Sequence, residues 1–67
     1  MQFELRGEFI TLQNLLKAES LVSSGGEAKM LIIDGNVFVN GDVEIRRGKK
    51  LVKGDVVKFN DNVIEII

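Results

Sequence analysis

Between Val37 and Val43 the chain reads Val-Phe-Val-Asn-Gly-Asp-Val. Asn-Gly between two β-rich runs is the strongest short-range hairpin signal, because both turn residues must tolerate positive φ. What lies before the hairpin narrows the fold further. Ser24 and Glu27 have the spacing of a capping box, which predicts a helix starting there. Ala28, Leu31 and Ile32 fall on one face of that helix, and Gly35 is placed to end it in a left-handed conformation. The chain thus commits to a capped helix, a stop and a tight hairpin in that order.

The rest of the chain fills in around this unit. Residues 2 to 6 alternate, with Phe3 and Leu5 on one side and Gln2 and Glu4 on the other, which predicts a half-buried strand. Thr11 is a cap for an earlier helix with Leu12, Leu15 and Leu16 on one face, fraying near Glu19 or Ser20. Leu21 and Val22 are expected to pack under the turn between the helices. After the hairpin, Val43 and Ile45 alternate with Asp42 and Glu44, and Val57 and Phe59 with Val56 and Lys58. Asn60-Asp61-Asn62 should then turn the chain into a last strand, Val63 to Ile67. The expected class is α+β: two helices in the N-terminal half packed on a small, mostly antiparallel sheet. The expected core holds Leu12, Leu15, Leu16, Ala28, Leu31, Ile32, Val37, Val39 and Val57.

With 67 residues the expectation is one domain over 1–67, whose small core buries only about 60% of the unfolded surface. There is no Cys and no His, which removes disulfides, the usual zinc sites and any Cys- or His-dependent nucleophile. No stretch reads as a signal peptide or a membrane span. The acidic residues are dispersed: Asp34 and Asp55 sit beside glycines as turn residues, and Glu27 reads as a cap. No catalytic constellation is present, so an enzyme is not expected, nor a cofactor or small-molecule substrate.

Charge is the remaining signal. Net charge is −1, but residues 46–58 carry six cations and one anion, whereas residues 1–45 carry three cations and seven anions. Local potential matters more than the sum when a phosphate approaches. Arg46, Arg47, Lys49, Lys50 and Lys53 form the basic element, in which Arg offers a bidentate fork and Lys a point charge. Lys29 reads as a cation in the first turn of the second helix, beside free backbone N–H groups. Lys17 extends the basic set along the first helix. Phe38 should face away from the core, since Val37 and Val39 flank it. There it can pack against Phe3 or the C-terminal strand, or stack on an unpaired base.

The order of these residues resembles the RNA-binding domain named after ribosomal protein S-four, also called the αL motif. The matching residues are Leu12, Leu15-Leu16, Ser24, Glu27-Ala28-Lys29, Leu31-Ile32, Gly35, Val37, Val39-Asn40-Gly41 and Gly54-Asp55-Val56, a motif core of about 11–59. Leu15-Leu16-Lys17, Ala28-Lys29 and Arg46-Arg47-Gly48-Lys49-Lys50 fit the short free-standing members, the YaaA/YbcJ-type proteins. Larger members begin the first helix with Arg-Leu-Asp and carry Arg after the Ser of the second. Here Thr11-Leu12-Gln13 and Gly25 stand instead. Gln13 and Asn14 occupy positions that are polar contacts in those larger members.

The resemblance implies binding to structured RNA, ribosomal or transfer RNA, in a bacterial cytoplasm. The implied contacts are Lys17, Lys29, Arg46, Arg47, Lys49, Lys50 and Lys53. Two other readings compete. A ubiquitin-like sulfur carrier would need a C-terminal Gly-Gly, where this chain has Ile64-Glu65-Ile66-Ile67. A protein-interaction module would use the apolar last strand as an exposed sheet edge.

Overall fold

A computed structural model describes all residues, Met1–Ile67. The order of elements is β1 (Gln2–Phe3), β2 (Ile10–Thr11), α1 (Leu12–Ala18), α2 (Gly25–Ile33), β3 (Val37–Val39), β4 (Asp42–Val43), β5 (Lys50–Leu51), β6 (Val56–Phe59) and β7 (Asn62–Ile66). Five strands form one sheet in the order β1-β7-β6-β3-β4, antiparallel except for the parallel β1·β7 pair. β2 and β5 form a second, two-stranded antiparallel sheet.

Local signals set most of these boundaries. The Ser24 hydroxyl accepts from the Glu27 N–H at 3.2 Å. The reciprocal half of the capping box is absent: the Glu27 carboxylate accepts instead from the Ser23 hydroxyl at 2.9 Å. Thr11 caps α1 by accepting from the Asn14 N–H. α2 ends as the sequence predicts. Gly35 has φ +83°, and the N–H groups of Gly35 and Asn36 donate to the carbonyls of Ile32 and Leu31. Asn40 and Gly41 both have positive φ, as a two-residue type I′ hairpin requires. The Asn40 side chain also ties this turn to the 52–55 turn: its Nδ2 donates to Asp55 and its Oδ1 accepts from the Val56 N–H.

One apolar cluster joins the helices to the inner face of the larger sheet. It contains Leu12, Leu15, Leu16, Ala28 and Ile32 from the helices and Val37, Val39, Val57, Phe59, Ile64 and Ile66 from the strands, with Leu5, Val22 and Leu51. Leu31 departs from expectation: it is half-buried and packs at the margin of the cluster. Ile32 takes the centre of that helix face. Phe38 is turned outward, 38% exposed. Phe3 packs against the core, and two strands separate β1 from β3, so the two rings are not neighbours. The run after the hairpin is shorter than its alternation suggests, ending as a strand at Val43. The last strand is not an edge. β7 lies between β1 and β6, so the exposed edges are the two-residue strands β1 and β4.

Candidate nucleic-acid interface

The basic segment 46–50 is held at the start of α1 by its backbone. The N–H of Leu12 donates to the Lys49 carbonyl at 2.9 Å and that of Gln13 to the Arg47 carbonyl at 3.0 Å. With Asn14 bonded to Thr11, the first three N–H groups of α1 are satisfied. The negative ends of the loop's peptide dipoles thus meet the positive end of the helix. A turn closed by the Lys49 N–H on the Arg46 carbonyl and the β2–β5 pairing of Thr11 with Lys50 complete the anchorage. Two-residue strands are weak alone, but here they fasten a cationic loop to a buried helix.

Arg46, Gly48, Lys49 and Lys50 line one shallow groove. Their roles within it differ. The guanidinium of Arg46 forms a two-point pair with Glu44, with Nε and Nη2 each donating at 3.0 Å. These hydrogen bonds, followed by charge attraction, hold the Glu44 carboxyl below its ordinary range against an opposing desolvation effect, and raise that of Arg46. No carboxylate lies within 4.0 Å of Arg47, Lys49 or Lys50; the two ion pairs in the molecule are Arg46–Glu44 and Arg6–Glu4. The Lys50 ammonium stands 4.8 Å from the centroid of the Phe9 ring, a cation–π contact.

The second helix reaches this region through Gln13. A Cβ built on Gly25 would come within 2.7 Å of the Gln13 Nε2. The start of α2 is therefore packed against the residue whose N–H holds the basic loop. An Arg at position 25 would displace the Gln13 side chain. Lys29 is one turn beyond Gly25 on the same side of α2, and Lys17 one turn beyond Gln13 on α1. Lys29 is in the second turn rather than the first. The N–H of Glu27 is already capped and that of Ala28 already bonded to Ser24. Lys17 borders a groove between the helices with Ser23 and Glu27. Lys53 stands apart from the 46–50 groove. It occupies the 52–55 turn, whose Gly54 N–H donates to the Ile66 carbonyl and whose Asp55 is clamped by Asn40.

Two parts of this site escape the sequence reading: Phe9 under Lys50, and the carbonyls that cap α1. A signal for the entry of the chain into α1 exists, though none for the Phe9 contact. Ile10 precedes the Thr11 cap and Leu15 lies four residues after it, the spacing of a hydrophobic staple that fixes how the chain enters a helix. No group of three or more acidic residues is arranged to hold a metal, and no helix is long and apolar enough to cross a membrane.

Residues 3–67 match the family model of the S4 domain. The chain belongs to that family. It is 45% identical over 52 residues to "Probable ribosome maturation protein RlbA" of Bacillus subtilis, a match covering 78% of this chain and 73% of that protein. It is 38% identical over 58 residues to "Putative RNA-binding protein YbcJ" of Escherichia coli, covering 87% of this chain and 83% of the relative. The solution structure of YbcJ, described as revealing an αL motif involved in RNA binding, superposes with a TM-score of 0.75 at 36% identity. That match covers 98% of this chain and 85% of the other.

Proposed function

We propose that residues 1–67 act as one RNA-binding domain that recognises structured RNA through the face built from the 46–50 groove and the flanking turns of α1 and α2. The observation that carries this reading is the groove itself: Lys49 and Lys50, without carboxylate partners, lie beside the Glu44-paired Arg46 on a loop fastened by backbone hydrogen bonds to the start of a buried helix. Arg47, Lys49 and Lys50 bridge backbone phosphates. Lys29 and Lys17 extend the contact along the helices, and Lys53 reaches phosphates further along the strand. Such a surface reads shape and charge rather than base sequence, as suits an A-form helix or a junction. Pre-anchoring the loop lowers the ordering cost of binding.

The names of the relatives support RNA as the ligand, and the ribosome-maturation name favours ribosomal RNA over transfer RNA in a bacterial cytoplasm. The domain acts by binding rather than by catalysis. Fluorescence anisotropy with a structured ribosomal RNA fragment at several salt concentrations tests this. Affinity should fall steeply as salt rises, because each phosphate contact releases condensed counterions. Binding that ignores salt would contradict a phosphate-reading face and favour a protein-interaction module.

A further inference from the structure

The outer face of the larger sheet, away from the helices, carries an arrangement that the phosphate-reading face does not use. Phe38 is paired across the strands with Lys58, and Lys58 with Val63. Side chains directly opposite on neighbouring strands are about 5 Å apart, so ring, lysine stem and valine form one row. Phe38, Asn40, Gly41, Val56, Lys58 and Val63 line a groove of about 550 Å³. That volume falls within the roughly 300–1,000 Å³ of small-ligand clefts.

The charges in this groove point to its occupant. Lys58 sits amid apolar groups with no carboxylate within 4.0 Å of its ammonium. The nearest candidate by register, Glu65, takes a hydrogen bond from Gln2. The Asn40 Nδ2 makes one hydrogen bond, to Asp55, which leaves its second hydrogen for a ligand. An exposed ring beside an unpaired cation matches a π-surface that carries negative charge. A second copy of the chain, laid symmetrically on this face, would instead bring its Lys58 toward this one across an apolar contact.

We infer that this groove binds one unpaired nucleotide of an RNA strand, its base stacked on Phe38 and its phosphate met by Lys58. The inference rests on the RNA-binding reading and adds a second contact surface, for single-stranded RNA, on the opposite side of the sheet from the helices. Stacking on an aromatic ring is tolerant of base identity, so little sequence preference is expected.

The test uses the full chain and an unstructured RNA hexanucleotide carrying one 2-aminopurine, whose fluorescence is quenched on stacking. The unaltered protein should quench the probe, and its amide resonances at Phe38, Gly41, Lys58 and Val63 should shift. Phe38→Leu keeps an apolar side chain and removes the ring. It should weaken hexanucleotide binding roughly tenfold and abolish quenching, while binding of structured RNA to the 46–50 groove persists. Lys58→Gln should weaken binding and retain quenching at saturation. Shifts confined to residues 46–50, or equal quenching by Phe38→Leu, overturn the inference and leave the proposed function standing. So do concentration-dependent shifts at Phe38 and Lys58 without RNA, which would mean that a second copy covers the face. Failure of the unaltered protein to bind either RNA overturns both.

Discussion

The backbone N–H of Gln13 donates to the carbonyl of Arg47 at 3.0 Å. Through this bond a helix whose apolar face is buried fixes a loop whose side chains are charged. Gln13 also packs its amide against Gly25, so the same residue joins the basic loop to the start of the second helix. Three segments distant in sequence thereby meet at one corner of the fold.

That corner predicts the effect of Gly25→Ala. The new methyl meets the end of the Gln13 side chain, which is able to swing aside, and alanine is the better helix former. Stability should be unchanged or higher by up to about 1 kcal/mol, while the Gln13 side-chain amide resonances move. A melting temperature that drops sharply would mean that Gln13 is locked in place.

Core substitutions separate two adjacent positions. Ile32 is fully buried and Leu31 only half-buried. Ile32→Ala should cost about 2–5 kcal/mol, a large share of the stability of so small a domain. Leu31→Ala should cost clearly less. Urea denaturation of the two variants checks this, and equal losses would mean that Leu31 carries core packing its exposure does not suggest.

The Glu44–Arg46 pair predicts a pH effect. Its hydrogen bonds hold the Glu44 carboxyl below its ordinary range. A carboxylate whose folded pKa is lowered adds stability above its unfolded value of about 4.3, and that stability is lost as the pH falls through the folded value. Glu44→Gln should therefore flatten the decline of the melting temperature between about pH 5 and about pH 3. A decline as steep as the parent's would show that the pair adds nothing to stability. Arg46 is largely exposed, so the effect should be small and weaken with salt.

What was legible in the sequence was local. Ser24, Thr11, Gly35 and Asn40-Gly41 act on backbone groups within a few residues of themselves, and each does what its type predicts. The alternation of Val56 to Phe59 fixes its own inward face for the same reason. What was not legible is non-local. Ile10–Thr11 pair with Lys50–Leu51 over a separation of about forty residues, and strands of two residues carry no periodicity to announce it. The capping of α1 by Arg47 and Lys49 uses main-chain carbonyls, which every residue has. Lys53 reads as part of the basic run, yet it lies in the turn with Gly54 and the Asn40-bonded Asp55 and does not line the 46–50 groove.

The central claim is that the 46–50 groove reads phosphate, and the variant with both Lys49→Ala and Lys50→Ala tests it most directly. Neither lysine has an acidic partner, so the variant should fold, as circular dichroism will report. Lys17→Ala, further along α1, serves as the milder comparison. Anisotropy titrations with structured RNA at several salt concentrations should show weaker binding by the double variant. The slope of log affinity against log salt should be shallower by roughly one to two units. A folded double variant with unchanged affinity and unchanged slope would contradict the claim and leave the basic loop as a solvated surface.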